Sequence, residues 1–389
     1  MVIENCPFQR DPRVRKEAAT LSSSGYLVSV ICPSVSPSQP FHQVVNGVNV
    51  YAYPPIVASS VIGYCVEYAY ATLAIFALCL LVLVRDGFEV IHLANPPDTQ
   101  IFTVLPFRWI GKRVIYDQHD ICPELLLAKF PHLRWLFPIF VRFERWSYRL
   151  ADHVITANES YRRNALARGR IPNGKISVVR NGPDTLCINS SGMNNDLLSK
   201  SNNLIVYTGT IGTQDGVDGL CRILKLLRFE LKHEDFFCVV VGDGDALPRI
   251  KESAREMHLD DKMDFVGWIS DPTEYTRYLN TAQICVSPEP ATAYDNCSTF
   301  IKIMDYMAAG KPIVAFDLAE SRYSAADSAL YAAGGDEFKF AVCLKQLMDS
   351  PSLRAKLGER GRNRVREHLG WEHSAERLLQ AYRACLELG

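Results

Sequence analysis

The sequence lacks an excess of charge of either sign. It carries 42 Lys and Arg against 43 Asp and Glu, for a formal net charge of −1 over 389 residues. A nucleic-acid-binding protein usually carries a strongly basic domain, so this balance argues against a nucleic-acid partner. At this length we expect two domains rather than a single core.

Paired cysteine motifs are also missing. None of the 12 cysteines forms a C-x-x-C pair, and several lie inside apolar runs, namely Cys32, Cys79, Cys238 and Cys285. We therefore expect buried, reduced thiols in a cytoplasmic protein rather than disulfides or a metal site. No extended apolar stretch occupies residues 1–10, so a cleavable signal peptide is not expected.

One long apolar run is present, at residues 68–84, with 17 residues and no charge. A membrane-spanning helix needs about 20 apolar residues, with a range of roughly 17 to 25. A span here would interrupt the pattern of strands and helices on either side. We expect a helix with one face buried and the other at a membrane surface; a core helix and a true span are the alternatives.

Short apolar segments alternate with helical ones along residues 1–183. Asp11 and Pro12 supply an N-cap and a first-turn proline for a helix that ends near Gly25. Strands are predicted at residues 27–32, 48–53, 88–93, 113–116 and 154–157, while residues 1–4 leave room for only a short first strand. This alternation predicts a parallel, doubly wound α/β sheet.

A second run of the same pattern begins after residues 184–203, which are rich in Ser and Asn and are the best candidate for a linker. Strands are predicted at residues 204–207, 238–241, 263–266, 284–286 and 313–315. Two α/β domains, over residues 1–183 and 204–370, are therefore expected. Ligands of such domains bind at the carboxyl ends of the strands.

The densest polar pattern of the second half lies at residues 296–317. Ser298 and Thr299 stand where a helix is expected to begin, with Lys302 on its first turn. Asp305 follows one turn later on nearly the same face. Hydroxyls, N–H groups and an ammonium suit a diphosphate, and a carboxylate suits ribose hydroxyls. An ordinary capped helix with solvated Lys and Asp is the alternative.

Glycine-containing turns follow three other predicted strands of this half. Gly209 and Gly212 lie in TGTIGTQDG, Gly242 lies in GDGDALP, and Gly267 precedes Trp268. Glycine lets a backbone approach a phosphate, and the last turn can offer backbone groups and a flat side chain to a base. Neither the P-loop nor the dinucleotide fingerprint matches, so plain connections are the alternative.

In the first half, the predicted strand at 113–116 ends in DQHDICPE. His119 can donate a hydrogen bond to a substrate hydroxyl, while Asp120 and Glu124 can position it or bind an acceptor. An isolated histidine is also often structural. Arg180 closes a strand beside the linker, where it can meet a ligand or form a surface salt bridge.

Taken together and in this order, these motifs resemble glycosyltransferase family 4 across essentially the whole chain. The stretches that carry the resemblance are RDPRVRKEAATLSSSGYLVSVICP, VIYDQHDICPE, ADHVITANES, SVVRNGPD, VYTGTIGTQDGVD, VVVGDGDALPRI, FVGWI and STFIKIMDYMAAGKPIVAFDLAESRYSA. The resemblance implies a GT-B fold, in which two Rossmann-like domains face each other across a cleft. It also implies a C-terminal helix, at about residues 371–389, that packs back on the first domain. Bacterial members that build O-antigen, capsule or exopolysaccharide are the most similar.

The resemblance assigns roles by position. It implies that His119 contacts the donor sugar, that Lys302 lies in the diphosphate-binding region, and that Asp305 is the second acid of an E-x7-E motif and binds the ribose. The other donor-binding residues it implies are Gly209, Thr210, Gly212, Arg180, Gly242, Gly267, Trp268, Asn296, Ser298 and Thr299. The acceptor-side residues are Arg10, Arg13, Asp120 and Glu124.

Two positions depart from the family pattern. The first acid of E-x7-E falls at Cys297, and the cations that many members carry after the first strand of the second domain are replaced by Thr210 and Asp215. Neutralisation of the leaving diphosphate is therefore expected to rest on Lys302, backbone N–H groups and Arg180.

The implied reaction is a retaining transfer of a sugar from a nucleoside diphosphate, expected to be UDP, to a polyprenyl-diphosphate-linked saccharide. It is expected at the cytoplasmic membrane face, without a metal or other cofactor. A UDP-sugar epimerase of the same fold is one alternative, and a catalytically weak or inactive subunit that binds nucleotide sugar is another. A nicotinamide dehydrogenase is disfavoured because neither half has G-x-G-x-x-G after its first strand.

Overall fold

A computed structural model describes residues 1–56, 61–183 and 192–387. The chain divides into two compact units: unit 1 is Met1–Arg180 with Ser374–Gly389, and unit 2 is Asn181–His373. Of the predicted linker, residues 184–191 lie outside the described part. The remainder belongs to unit 2 and contains a short helix, Asn195–Leu198.

Unit 1 is built on mostly parallel strands. They are β1 (Ser29–Pro33), β2 (His42–Val45), β3 (Val48–Tyr53), β4 (Val90–Ala94), β5 (Arg113–Gln118), β6 (His153–Thr156) and β7 (Ile176–Val178). Strands β4, β5, β6 and β7 pair in this order and in parallel, while β3 pairs in parallel with β1 and antiparallel with β2. Val2 bridges Ile31 of β1 and Leu93 of β4, both in parallel.

The helices of unit 1 cover this sheet. They are α1 (Pro12–Ser23), α2 (Val61–Arg85), α3 (Gln100–Trp109), α4 (Cys122–Lys129), α5 (Phe137–Leu150) and α6 (Glu159–Asn164). Short 3-10 turns lie at Phe8–Arg10, Pro131–Leu136 and Asn173–Lys175, and a π turn at Ala165–Gly169 extends α6.

Unit 2 contains a parallel six-stranded sheet. Its strands are β8 (Leu204–Thr208), β9 (Phe237–Val241), β10 (Met263–Gly267), β11 (Ile284–Ser287), β12 (Ile313–Phe316) and β13 (Ala329–Ala332), in the spatial order β10-β9-β8-β11-β12-β13. Its helices are α7 (Asn195–Leu198), α8 (Val217–Lys225), α9 (Leu247–Glu256), α10 (Pro272–Thr281), α11 (Ile301–Ala308), α12 (Ala319–Ala325), α13 (Glu337–Met348) and α14 (Pro351–Arg364). Helix α15 (Trp371–Leu386) then begins in unit 2 and continues into unit 1.

The ten predicted strands are all present, with ends that differ by a few residues. The strand predicted to close at Arg180 is β7, which ends at Val178. Two further strands, β2 and β13, were not predicted. Each has four residues and lies at a sheet edge, where partial exposure weakens the apolar pattern. The four cysteines predicted to be buried thiols are buried and free.

Of the two predicted helix starts, one is confirmed and the other is wrong. The Asp11 carboxylate accepts hydrogen bonds from the backbone N–H groups of Arg13 and Val14, each at 2.9 Å, so the predicted N-cap of α1 is confirmed. The prediction that Ser298 and Thr299 begin the next helix is wrong. Helix α11 begins at Ile301, and both hydroxyls lie in the loop before it.

Helix α2 is apolar on both faces. A stripe at residues 71, 75, 78, 79 and 82 is buried against the sheet. The opposite stripe is exposed, with Leu73 at 70% and Val84 at 87% exposure. Among the described residues, its stretch Val66–Arg85 is the one long and apolar enough to cross a membrane by length and composition, and most of this stretch is not buried.

Candidate active site

In unit 2, the predicted donor-binding residues collect at the carboxyl edge of the parallel sheet. Gly209 follows β8, Gly242 follows β9, and Gly267 ends β10. The N–H of Gly209 donates to Val241 O at 3.0 Å, and that of Gly242 donates to Gly267 O at 2.9 Å. A side chain on Gly242, whose φ is +147°, would collide with the carbonyl oxygen of Gly209. Glycine is therefore required where these turns interlock.

Lys302 is the cation of this edge. Its ammonium lies 2.6 Å from Glu289 Oε1 and 2.9 Å from the Tyr207 hydroxyl, and the side chain is 9% exposed. Burial by itself lowers the pKa of this ammonium, but Glu289, together with Tyr306 and Asp215, outweighs burial and the net shift is upward. Lys302 is therefore a buried, charged group with one carboxylate partner that a phosphate can replace.

Tyr207 connects Lys302 to the glycine turn after β8. The Tyr207 hydroxyl accepts from Lys302 and donates to the carbonyl oxygen of Thr210 at 2.7 Å. A Cβ placed on Gly209 would lie 3.0 Å from the Lys302 ammonium nitrogen. The positive charge thus lies beside the backbone of residues 209–212, where the sequence predicts the diphosphate.

One predicted phosphate donor of this turn is already engaged. The Gly212 N–H donates to Asp215 Oδ2 at 2.9 Å, and Asp215 stands where many family members carry a cation. A diphosphate that uses this N–H has to displace the Asp215 carboxylate.

Asp305 lies one turn after Lys302 on α11. Its Oδ2 accepts from the Tyr275 hydroxyl at 3.0 Å, and the same hydroxyl is 3.1 Å from Thr208 Oγ1. These contacts fix the carboxylate close to the end of β8, and its assignment to ribose hydroxyls stays a prediction.

The loop before α11 has its own internal hydrogen bonds. Asn296 Oδ1 accepts from the Ala319 N–H at 2.9 Å, and the Ser298 hydroxyl donates to Tyr294 O at 2.9 Å. Thr299 Oγ1 lies 3.5 Å from Glu320 Oε2. Trp268, by contrast, is 65% exposed just beyond β10, as a side chain that stacks on a base requires.

In unit 1, His119 lies at the carboxyl end of β5. Its Nε2 is 2.6 Å from Asp117 Oδ2, and its backbone N–H donates to Asn95 Oδ1 at 2.6 Å. Burial raises the pKa of Asp117, but Arg13 and His119 outweigh it and hold the pKa well below its usual range. The carboxylate is then only an acceptor, so His119 donates from Nε2 and Nδ1 remains for a ligand. A neutral ring accepts from a sugar hydroxyl there, whereas a protonated ring donates.

The structure corrects the assignment of Arg13 to the acceptor side. Arg13 is 3% exposed, and its guanidinium donates to Asp117 Oδ1 at 2.7 Å and to Val179 O at 2.8 Å. Its Nε also lies 3.1 Å from Glu17 Oε1. Arg13 therefore compensates the buried Asp117 carboxylate that also contacts His119, because an unpaired buried charge is costly.

The same network reaches the C-terminal helix. His92 Nε2 lies 3.3 Å from Asp117 Oδ2, and His92 Nδ1 is 2.9 Å from the Tyr382 hydroxyl of α15. Glu17, His92 and Asp117 place their ligand atoms within 4.8 Å of one another. Arg13 pairs with the ionised Asp117, whereas burial and the Asp117 charge raise the pKa of Glu17 well above its usual range. The cluster is therefore accounted for by one buried ion pair and its hydrogen-bonded neighbours. The expectation that no metal is needed stays a prediction.

The remaining predicted residues are placed as follows. The Asp120 backbone N–H donates to Asn95 Oδ1 at 3.1 Å, and Glu124 forms an ion pair with Arg168. Arg10 is exposed, and Arg180 is buried just after β7. The structure thus brings His119 and Asp120 together in unit 1, and Lys302 together with the glycine turns in unit 2.

Sequence reasoning missed Glu289, Tyr207 and Asp117. Glu289 is 1% exposed and lies two residues after the end of β11, in the sequence SPEP, and its second oxygen accepts from the Ser287 hydroxyl. An acid just beyond a buried parallel strand was the available signal. Its pairing with Lys302 depends on the folding of the intervening loop, which no local pattern predicts.

Comparisons with known proteins agree with this architecture. Residues 11–182 match the family described as glycosyl transferase 4-like domain, and residues 202–350 match glycosyl transferases group 1. The chain is 26% identical over 266 residues to alpha-maltose-1-phosphate synthase of Mycolicibacterium smegmatis. That match covers 62% of this chain and 65% of the relative, slightly less than two thirds of the relative's length.

Two solved structures share the fold. Sucrose-phosphate synthase from Thermosynechococcus elongatus aligns with a TM-score of 0.80 at 17% identity, over 100% of both chains. HepE of Anabaena, in complex with UDP-glucose, aligns with a TM-score of 0.73 at 13% identity, over 98% of both chains. These structures confirm the α/β GT-B fold expected from the sequence, and the two domain matches, over residues 11–182 and 202–350, identify the chain as a glycosyltransferase.

Proposed function

We propose that this enzyme transfers a sugar from a UDP-sugar to a lipid-linked saccharide, with retention of anomeric configuration, in surface polysaccharide synthesis. The observation that carries the donor assignment is the Lys302 ammonium, paired with Glu289 beside the Gly209 turn at the carboxyl edge of a parallel sheet. HepE, which shares the fold, binds UDP-glucose, and this supports the same class of donor here.

The proposed chemistry needs no protein nucleophile. The acceptor hydroxyl attacks the anomeric carbon from the face of the leaving group, and the departing β-phosphate oxygen takes its proton. Lys302 stabilises the charge that develops on the diphosphate, and His119 binds a hydroxyl of the donor sugar. Catalysis of this kind rests on positioning and electrostatic stabilisation.

Calorimetric titration with UDP, GDP and NAD, without added metal, tests the donor class. Selective binding of UDP is the expected result, and it would justify screening UDP-sugars against a polyprenyl-diphosphate-linked acceptor. Preference for GDP would change the donor and keep the fold. Binding of none of the three by a folded sample would contradict the proposal and favour a non-catalytic subunit.

The membrane part of the proposal rests on helix α2. Its exposed stripe at residues 66, 69, 73, 77, 80 and 84 contains only Val, Ala and Leu, and Arg85 ends the helix. An apolar stripe with a cation at its end suits the interface of an anionic bilayer. We therefore place the enzyme on the cytoplasmic membrane surface as a peripheral protein.

Replacing Leu73 and Val84 together by serine should weaken binding to phosphatidylglycerol vesicles at least tenfold in a flotation assay. Each side chain contributes roughly 1.5–3 kcal/mol when fully buried in an apolar phase, and both are exposed in the protein. Leu198→Ser, on an exposed leucine of unit 2, is the matched control and should leave flotation unchanged. Equal flotation of the double variant and the wild type would rule out α2 as the membrane surface.

Affinity for UDP-glucose should fall about fivefold between pH 6 and pH 8. Burial raises the pKa of Asp295 to about 7, with Glu289 adding to the shift, so above that pH ionisation adds a negative charge close to Glu289, the carboxylate partner of Lys302. Two unit charges interact by about 1 kcal/mol in a high dielectric. UDP-glucose is the right probe because its diphosphate has no proton to lose in this range. Asp295→Asn should flatten the profile, and a profile unchanged by that substitution would contradict this reading.

A further inference from the structure

A small cavity in unit 1 has a described lining that contains Arg10 but none of the other site residues assigned above. It has a volume of about 290 Å³ and is found at the carboxyl ends of β1 and β3, with one wall from the first turns of α2. Among the described residues, the polar ones that line it are Glu4, Asn5, Arg10, Ser34, Tyr53, Glu67 and Tyr70.

The Tyr53 hydroxyl is the feature that points to a ligand. Tyr53 is 5% exposed, and within the described ranges its hydroxyl has no hydrogen-bond partner. A buried hydroxyl without a partner costs about 1–3 kcal/mol, so a native protein usually supplies one. A ligand hydroxyl in the cavity would meet this need.

The two carboxylates define the chemistry of that ligand. Burial raises the pKa of Glu4 to about 7, with Glu67 adding to the shift. Near neutral pH this pair therefore offers both an acceptor and an acidic proton, which suits neighbouring hydroxyls. The same acids repel a phosphate inside the cavity, whereas the exposed Arg10 is the one cation of its described lining.

The aromatic walls complete a sugar-binding surface. The rings of Tyr53 and Tyr70 meet edge to face with centroids 6.3 Å apart, and tyrosine combines an apolar face with a polar tip. The volume is at the small end of the roughly 300–1,000 Å³ typical of ligand pockets. It suits a single sugar residue and is too small for a nucleotide sugar.

We infer that this cavity, at Glu4, Tyr53, Glu67 and Tyr70, binds a neutral sugar residue of the acceptor. The inference rests on the proposed transferase function and names the part of the enzyme that reads the acceptor. Glu67 and Tyr70 lie on α2, the helix whose exposed stripe is assigned to the membrane surface. A lipid-linked saccharide would therefore have its sugar recognised by the helix that contacts the bilayer.

The test uses the full chain and a panel of methyl glycosides of glucose, galactose, mannose and N-acetylglucosamine, with saturation-transfer NMR to detect binding. At least one glycoside should bind, and Tyr53→Phe and Glu67→Gln should each weaken its binding about tenfold. Tyr53→Phe removes a hydroxyl that has no described partner, so its Tm should not fall. Tyr68→Phe, on α2 outside the cavity lining, is the matched control and should behave as the wild type.

UDP affinity, measured in the same samples, separates this inference from the proposed function. UDP binding with no saturation transfer to any glycoside would overturn the inference and leave the donor assignment intact. Glycoside binding that both variants retain at wild-type strength would also overturn it. Loss of glycoside binding in the two variants with unchanged UDP affinity would support it, and absence of UDP binding in the wild type would count against the proposed function alone.

Discussion

Replacing Lys302 by alanine should weaken UDP binding by about 10- to 100-fold and slow sugar transfer by about 10²- to 10³-fold. Hydrogen bonds to charged groups contribute about 1.5–3 kcal/mol, and each 1.4 kcal/mol is a factor of about ten in affinity. Transfer should suffer more than binding, because the charge on the diphosphate increases as the bond to the sugar breaks. Calorimetry with UDP and a coupled assay of UDP release measure the two effects.

The partner of Lys302 complicates that substitution and also provides its control. Lys302→Ala leaves the Glu289 carboxylate buried without its cation, which is itself destabilising. The double variant Lys302→Ala with Glu289→Gln removes both charges and should recover the stability while remaining defective in UDP binding. Lys345→Ala, which breaks an exposed pair with Asp349, should change neither property. Wild-type UDP affinity in the double variant would remove the phosphate role of Lys302.

Glu289→Gln alone separates two roles for this acid. If Glu289 only competes with the diphosphate for Lys302, its removal should leave UDP affinity equal or tighter. Loss of transfer with retained UDP binding would instead show that this carboxylate acts on the donor sugar. Glu289 would then replace the first acid of the E-x7-E motif, whose position is occupied by Cys297.

The sequence predicted those features that depend on neighbouring residues. The N-cap at Asp11, the strand ends at Gly209 and Gly242, and the place of Lys302 on the first turn of α11 all follow from local pattern. Short-range rules suffice there because a cap or a strand end is determined within a few residues.

The pairings that complete the site depend on tertiary structure. Arg13 and Asp117 are 104 residues apart in sequence, and Lys302 and Tyr207 are 95 apart. The second pair meets because β8 and β11 are neighbours in the sheet, α11 packs on β11, and Tyr306 of α11 accepts from the Thr208 N–H at the end of β8 at 2.8 Å. The order of strands in a sheet cannot be predicted from the periodicity of a single strand. The sequence therefore contained no sign that Arg13 meets Asp117 of β5, and Arg13 was assigned to the acceptor although its side chain belongs to a buried network.

Asp117→Asn is expected to be the most destabilising conservative change in unit 1. It removes the charge that compensates Arg13 and that accepts from His119, with Arg13 and Asp117 both almost fully buried. Breaking a buried ion pair by neutralising one partner costs about 3–5 kcal/mol. Urea unfolding at pH 7 measures this loss, and Asp349→Asn, in an exposed pair, should cost less than about 1 kcal/mol.

The pH dependence of this loss has a definite sign. The folded-state pKa of Asp117 lies well below its usual value, since the attraction of Arg13 and His119 outweighs burial. The stability it contributes is therefore fully present above about pH 4, the pKa of an unfolded Asp. That stability is lost as the pH falls toward the folded-state pKa. The difference in unfolding free energy between the wild type and Asp117→Asn should accordingly shrink below pH 4.

Catalysis separates a positioning role of Asp117 from a purely structural one. Asp117 directs the Nε2 proton of His119 and so leaves Nδ1 for the donor sugar. In Asp117→Asn the amide oxygen can still accept from Nε2, but the carboxylate charge beside the ring is gone. We expect kcat to fall at least tenfold at a temperature where the variant is fully folded, with the Kd for UDP unchanged because UDP lacks the sugar. A folded variant with wild-type kcat would leave Asp117 as a structural partner of Arg13 and would separate His119 from the reaction.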